Sequence, residues 1–524
     1  MVEKGWENNK DIFNKISTLN MTYKNIDLIK ILPTINLGDG VAEQDELLQV
    51  AKIETSVFSD LLKDRVDLIP GTKGSGKSAL YRIFVEFLPK LLLEHNKVVI
   101  AHGIDSHGDP IFHAYQKEFE KLTEDEFVDF WCIYFVSLAH EQFIKNKAYE
   151  KYLENCKDEI KTFREACEKA KIPEIQGKKT LKEILSWCLN ALKEMRPALA
   201  YKLDTNEVKL TLFGSESNDK KIEEKEGVSI LPIYVADIKI ALEKILKKSN
   251  LNIWLMVDRL DEVFPRRSEL EKRALRGLLK TTRFFTSPEI RIKLFVRDDI
   301  LSNIVNTGQG FTAIDHVTSR QADTLRWEEN QILDLVVKRL VTNDTLCDYL
   351  KVDMDKLAAS AEYRREVFYM VFPSNVYKGK KQSNTMRWIC THTADGNNVV
   401  TPRDIIYLIK KAIQRQQDLL KTDENGMSTS FISPQAITYG HEELSKYKRT
   451  SILEAEFPHL WIYIKKLVNG KTEYQEKTLA TLFGKNWEEI LSDLVSVGVL
   501  SKNKNEYKVP FLYREGLDVT QGSL

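Results

Sequence analysis

One eight-residue stretch constrains this chain more than any other. Gly71-Thr72-Lys73-Gly74-Ser75-Gly76-Lys77-Ser78 matches G-x-x-x-x-G-K-[ST] without a gap. Residues 66–69 in front of it form a short apolar run that reads as a strand. Behind it, residues 78–93 carry apolar side chains at helical spacing: Leu80, Ile83, Phe84, Phe87, Leu88 and Leu91. Strand, glycine-rich turn and helix in that order form the context in which such a loop cradles phosphate. The reason is geometric. Backbone N–H groups of the turn must converge on phosphate oxygens, and Gly71, Gly74 and Gly76 supply the conformational freedom for that. Lys77 is then expected to reach the β- and γ-phosphates of a nucleotide, and Ser78 to hold Mg²⁺ through its hydroxyl. Thr72, Lys73, Ser75 and Ala79 complete the expected nucleotide-binding segment.

The second half of the expected site lies far downstream, in LNIWLMVDRLDEVFP at residues 251–265. An apolar strand there ends at Asp258, and the C-terminal edge of a parallel sheet is where a bound nucleotide sits. Asp258 is therefore the expected Mg²⁺ carboxylate. Asp261 and Glu262 stand just beyond it. Hydrolysis needs a base within reach of the attacking water, and either acid suits that role. Strands at residues 98–101, 253–257 and 291–296, and a fifth at 324–327, alternate with helical segments, the pattern of a parallel α/β sheet. The 179 residues between Ser78 and Asp258 far exceed a crossover of about a dozen residues, so a helical insertion at about 110–227 is expected.

The expected class is α/β: a P-loop NTPase parallel sheet with a helical insertion, followed by an α-helical lid and a C-terminal winged-helix domain. The boundaries read as a helical lead-in at 1–60, a core at 61–330, a lid at 331–425 and a winged helix at 430–524. The last of these rests on three helical segments closed by a hairpin, VLSKNKNEYKVPF. KTDENGMSTS, near residues 420–430, reads as the polar linker between lid and winged helix.

D-R-L-D-E after an apolar run resembles the extended Walker B motif of STAND-type ATPases, with Arg259 where that motif has a small residue. IKLFVRDDI resembles the sensor-1 strand of the same group, which implies that Arg297 reads the γ-phosphate. NNVVTPRDIIYLIKKAI resembles the sensor-2 helix of AAA+ and origin-recognition-like ATPases, whose arginine, here Arg403, touches the γ-phosphate from the lid. Locally, Thr401 suits an N-cap, Pro402 the first helical position, and Asp404 a T-x-x-D cap. Arg403 opposes the helix dipole and calls for a nearby anion. Arg320, in VTSRQADTLRW, lies where AAA+ arginine fingers tend to lie. Together these motifs span residues 60–415 and resemble AAA+/STAND P-loop ATPases, most nearly uncharacterised bacterial ones of antiviral defence loci. The resemblance implies ATP, Mg²⁺, an ATP-favoured homo-oligomer and a regulatory switch acting on a separately encoded effector.

Composition narrows the remaining classes. Lys+Arg and Asp+Glu each number 77, whereas proteins that grip long nucleic acid are usually basic. The expected recognition helix, NWEEILSDLVSVG, presents Glu488, Glu489 and Asp493, which repel phosphate; only the hairpin offers lysines, Lys502, Lys504 and Lys508. A DNA-engaging AAA+ loader of the origin-recognition type is the alternative reading, and a nucleotide-gated binding module with negligible turnover is a third. No apolar run approaches a membrane span, the N-terminus has no apolar signal region, and the six cysteines form no C-x-x-C pair. A reducing, cytoplasmic setting is expected. His102, His107 and His113 match neither zinc-finger spacing nor H-E-x-x-H.

Overall fold

Four short apolar runs, rich in branched side chains, pair as one parallel sheet. They are β1 (Leu68–Gly71), β2 (Val98–Gly103), β3 (Asn252–Val257) and β4 (Ile290–Arg297), in the spatial order β1-β4-β3-β2. All but a few of their residues are buried, as a parallel sheet covered on both faces requires. In register, Gly71 stands opposite Arg297 and Val257 opposite Leu294, so the chain leaves β1, β3 and β4 on the same edge. This computed structural model describes residues 22–103, 116–169, 231–260, 264, 268–285, 287–305, 319–379 and 382–524. Two compact units divide them: Ser56–Gly71 with Lys77–Thr324, which holds this sheet, and Met1–Thr55 with Thr72–Gly76 and Leu325–Leu524.

The sheet unit carries helices α1 (Lys77–Arg82), α2 (Glu124–Ala139), α3 (Lys157–Lys169), α4 (Leu231–Ser249), α5 (Glu269–Thr281) and α6 (Asp298–Val305). Helix α2 opens with a capping box in which the Thr123 hydroxyl accepts from Glu126 N–H and Glu126 accepts from Thr123 N–H. Apart from its first turn and Val128 and Asp129, α2 is buried throughout, and a helix apolar all round belongs inside a core. It shares one apolar cluster with Val99, Ile253, Leu255 and Ile292 of the strands. It also lies hard against α5. A Cβ added at Gly277 would stand 2.6 Å from Phe127 Cβ, and Trp131 Nε1 donates to the Ala274 carbonyl at 2.9 Å. The start of the expected insertion is thus part of the sheet's own packing. Residues 170–230 lie outside the described residues.

The expected fifth strand at 324–327 does not form. Gln321 makes a single parallel bridge to Leu68 on the outer edge of β1, with Ala322 N–H bonded to the Leu68 carbonyl at 2.8 Å. Residues 322–328 continue without further strand pairing.

That other unit is helical before it becomes mixed. It contains α7 (Glu329–Leu340), α8 (Thr385–Thr393), α9 (Pro402–Leu420) and α10 (Pro434–Lys448), with further short helices between Asp344 and Val371. After α10 come α11 (Pro458–Ile464), β5 (Lys471–Gln475), α12 (Glu476–Phe483), α13 (Trp487–Ser496), β6 (Ser501–Asn503), β7 (Glu506–Lys508) and β8 (Thr520–Ser523). The sheet order is β8-β5-β7-β6. Helix, strand, two helices and an antiparallel hairpin reproduce the arrangement expected of a winged helix, with β8 added parallel to β5. Residues 22–55 of the lead-in belong to this unit. The 420–430 segment is engaged with them. Tyr23–Lys24 pairs antiparallel with Met427–Ser428, and Asn25 N–H bonds the Gly426 carbonyl at 3.0 Å.

Two histidines join α8 to α10. His392 stacks on Trp388 with ring centroids 3.8 Å apart and lies 5.4 Å from His441, whose Nε2 meets the Phe511 carbonyl at 3.2 Å. Burial pulls both imidazoles down to about 4, from 6.5, and each stays neutral at pH 7. Between pH 6.5 and 4 the unfolded chain therefore takes up protons that the folded chain refuses. Stability is expected to fall as pH drops through that window and to be insensitive to these groups above it. His441 alone accounts for about 3 kcal/mol of the loss. Urea midpoints across pH 4–7 check this: His441→Gln must flatten the wild-type slope, and an unchanged slope refutes it.

Candidate nucleotide site

The phosphate loop is built as its sequence demands. It leaves β1 at Gly71 and enters α1 at Lys77. Gly74 and Gly76 take φ values of 82° and 99°, the left-handed region that side chains disfavour. Ser75 N–H closes a turn on the Thr72 carbonyl at 3.2 Å. Lys77 is buried, with its ammonium on the Gly71 carbonyl at 2.7 Å. A buried cation at the start of a helix is a donor that a polyphosphate would use. Ser78 and Ala79 follow in the first turn of α1, both partly exposed.

On the sheet unit, Asp258 follows β3 and is 3% exposed. Arg259 after it adopts φ 57°, a left-handed turn that costs a side chain about 1 kcal/mol. Only glycine, which lacks a Cβ, would avoid that strain. Asp261 and Glu262 lie outside the described residues. Arg297 ends β4 beside Gly71, and its guanidinium grips Asp299 with two bonds of 2.9 Å. Asp298, which sequence reasoning passed over, is raised above the ordinary carboxylate range by burial and by Asp299, with Lys77 pulling the other way. Its signal was present in the two acids directly after the strand arginine.

Arg320 is placed elsewhere. Its Nε bonds Asp67 at 2.6 Å and its Nη2 meets Asp64, in a cluster completed by the fully buried Lys293, which bonds Asp67 at 2.7 Å. Asp67 precedes β1, so this cluster stands at the end of the strand away from the loop, about 13 Å along it. The candidate arginine finger is thus held by Asp67 and Asp64 within this chain.

Within the second unit, Trp327, Thr401, Arg403 and Glu456 meet residues 72–76. Trp327 Nε1 donates to the Ser75 carbonyl at 2.7 Å, and a Cβ at Gly76 would lie 3.6 Å from its indole. A Cβ at Gly74 would meet Thr401 Oγ1 at 3.3 Å and Arg403 Cβ at 3.5 Å. The N-terminus of α9 thus abuts the loop. Thr401 caps α9 by accepting from Asp404 N–H, with Pro402 at the first position as expected. Asp404 departs from expectation, since its carboxylate binds Lys448 at 2.8 Å. Arg403 Nε donates to the Gly40 carbonyl at 3.0 Å. Lys73 is ion-paired with Glu456. Trp327 and Glu456 carry no motif of their own, and only the fold brings them here.

His102 lies in β2, where its backbone N–H and carbonyl both bond Gln142. His107 and His113 lie outside the described residues, and among the described residues no cluster of three or more potential metal ligands occurs. No helix among them is long and apolar enough to cross a membrane.

No protein-family model and no curated protein matches the sequence. Among solved structures, the chain is similar to the Walker-type ATPase PABY2304 of Pyrococcus abyssi, with 10% identity, 88% of this chain and 95% of that chain covered, and a TM-score of 0.38. It is also similar to the ORC2 protein of Aeropyrum pernix in ADPNP–ADP complexes, with 13% identity, 89% and 93% coverage, and a TM-score of 0.39.

Proposed function

We propose that this chain binds ATP with Mg²⁺, hydrolyses it, and uses the nucleotide state to set the position of its helical lid and winged helix. The observation that most supports this is the capped N-terminus of α9, with Arg403 in its first turn, lying against Gly74 of the phosphate loop. A cation in a first turn opposes the helix dipole, and a γ-phosphate beside the loop is the anion that would resolve the conflict. Thr72–Gly76 and Lys77 would hold the phosphates, while Ser78 and Asp258 would hold the metal. Bound there, Mg²⁺ supplies charge neutralisation on phosphate oxygens. Glu262 or Asp261 would take a proton from the water that attacks the γ-phosphorus, with ADP leaving. Arg297 would exchange Asp299 for the γ-phosphate.

The finer reading is an oligomeric regulatory ATPase of a bacterial antiviral defence system that acts on a separately encoded effector in the cytoplasm. The surface of α13 supports protein over DNA as the partner. Glu488 and Glu489 are exposed on it, and Lys508 of the hairpin is neutralised by Glu473 at 2.9 Å. Salt-dependent duplex binding in a filter or anisotropy assay would instead favour the DNA-loading alternative.

Arg403→Ala tests the lid. It is expected to leave ADP affinity nearly unchanged and to weaken ATP about tenfold, the worth of a charge-assisted bond. It should also erase any difference between ADP and a non-hydrolysable ATP analogue in proteolytic cleavage near residues 420–430. Wild-type cleavage that is identical with both nucleotides refutes the lid mechanism.

A further inference from the structure

Lys73 occupies a variable position of the loop motif, and its partner comes from the other end of the sequence. Glu456 lies between the π-helical turn Arg449–Glu454 and α11, with its side chain only 6% exposed. A buried carboxylate on a phosphate-loop lysine takes a cation that an incoming phosphate would also seek. The other end of the same segment is anchored too. Lys448, the last residue of α10, bonds Asp404, which is the neighbour of Arg403 on α9. Between the anchors, Arg449 holds Glu454 and the Gly516 carbonyl, each at 3.0 Å. A π-helical turn is a rare winding, often found at functional sites. Here ion pairs stand at both of its flanks.

We propose that Glu456 is an internal competitor of the nucleotide for Lys73, so that phosphate binding loosens residues 449–464 and releases the winged helix they lead into. The inference rests on the ATP-binding reading above. A triphosphate carries more charge than one carboxylate and draws the ammonium toward itself. Glu456 then keeps a buried charge with weaker compensation, which favours conformers that return it to water. The nucleotide thereby shifts a pre-existing equilibrium of this segment by its differential hold on Lys73.

Hydrogen exchange of the full-length chain, read by mass spectrometry, tests the latch. Without nucleotide, Glu456→Gln and, from the loop side, Lys73→Gln are each expected to speed exchange across 449–464 about tenfold. ATP with Mg²⁺ is expected to do the same to the wild type and to add nothing to either variant. Glu456→Gln should also tighten ATP binding about tenfold in calorimetry, because the competitor is gone, while Lys73→Gln should not. Equal exchange in all three nucleotide-free proteins overturns the inference. So does a wild type that binds ATP in calorimetry while 449–464 keep their nucleotide-free rates, a result that leaves the ATP-binding reading standing. Absence of ATP binding in calorimetry overturns both.

Discussion

Lys77→Ala is expected to abolish nucleotide binding. In the wild type the ammonium is buried within the loop, 2.7 Å from the Gly71 carbonyl, and it is the cation at the entrance of α1. Two or more phosphate oxygens would share it in a setting with little water to replace it. Truncating one partner of such a buried pair costs about 3 kcal/mol or more, at least a hundredfold in Kd. The fold should survive, since the alanine leaves a helix-favouring residue at the start of α1 and the strand core untouched. Calorimetry with ATP and with ADP, beside circular dichroism to confirm folding, measures this. A folded Lys77→Ala protein with wild-type ATP affinity refutes the assignment of the loop.

Glu262→Gln is expected to separate binding from chemistry. An amide keeps the size and the hydrogen-bonding reach of the acid but cannot take the water's proton. Loss of a general base lowers turnover by about a thousandfold, while ATP affinity stays within about threefold because no phosphate ligand is lost. The variant should therefore hold ATP in its uncleaved form, visible as unhydrolysed nucleotide co-eluting with the protein. Asp261→Asn is the paired experiment. If Glu262→Gln turns over at the wild-type rate and Asp261→Asn does not, the two acids exchange roles. If both turn over normally, neither is the base.

These two expectations draw on opposite kinds of information. Lys77 is legible twice, in the motif and in the structure, whereas Glu262 rests on its place after the β3 strand in the sequence. The Arg403 and Glu456 readings run the other way. Arg403 was suspected from the helix cap around it, and its contact with the loop is what gives that suspicion chemical content. Glu456 had no sequence signal at all. An isolated glutamate in a helix-rich segment is usually solvated, and nothing in EAEFPHL marks this one for burial on a lysine of the phosphate loop.

By itself the sequence determined whatever is encoded within a few neighbouring residues. It set the strand–loop–helix around Gly71–Ser78, the strand that ends at Asp258, the Thr401–Pro402 start of α9, and the hairpin after α13. Each depends on local period, glycine freedom or a cap, and each needs no distant partner. Tertiary structure alone decided the rest. It drew α2 from an expected insertion into the sheet's core, because a helix apolar on every side has to be surrounded. It limited the fifth strand to one bridge at Gln321. It set Arg320 between Asp64 and Asp67. It brought Trp327 onto Ser75 and Glu456 onto Lys73 from across the chain. The physical reason is common to all of these. A buried charge, an indole N–H or an all-apolar helix states a need in the sequence, and only the packed chain determines which distant group meets it.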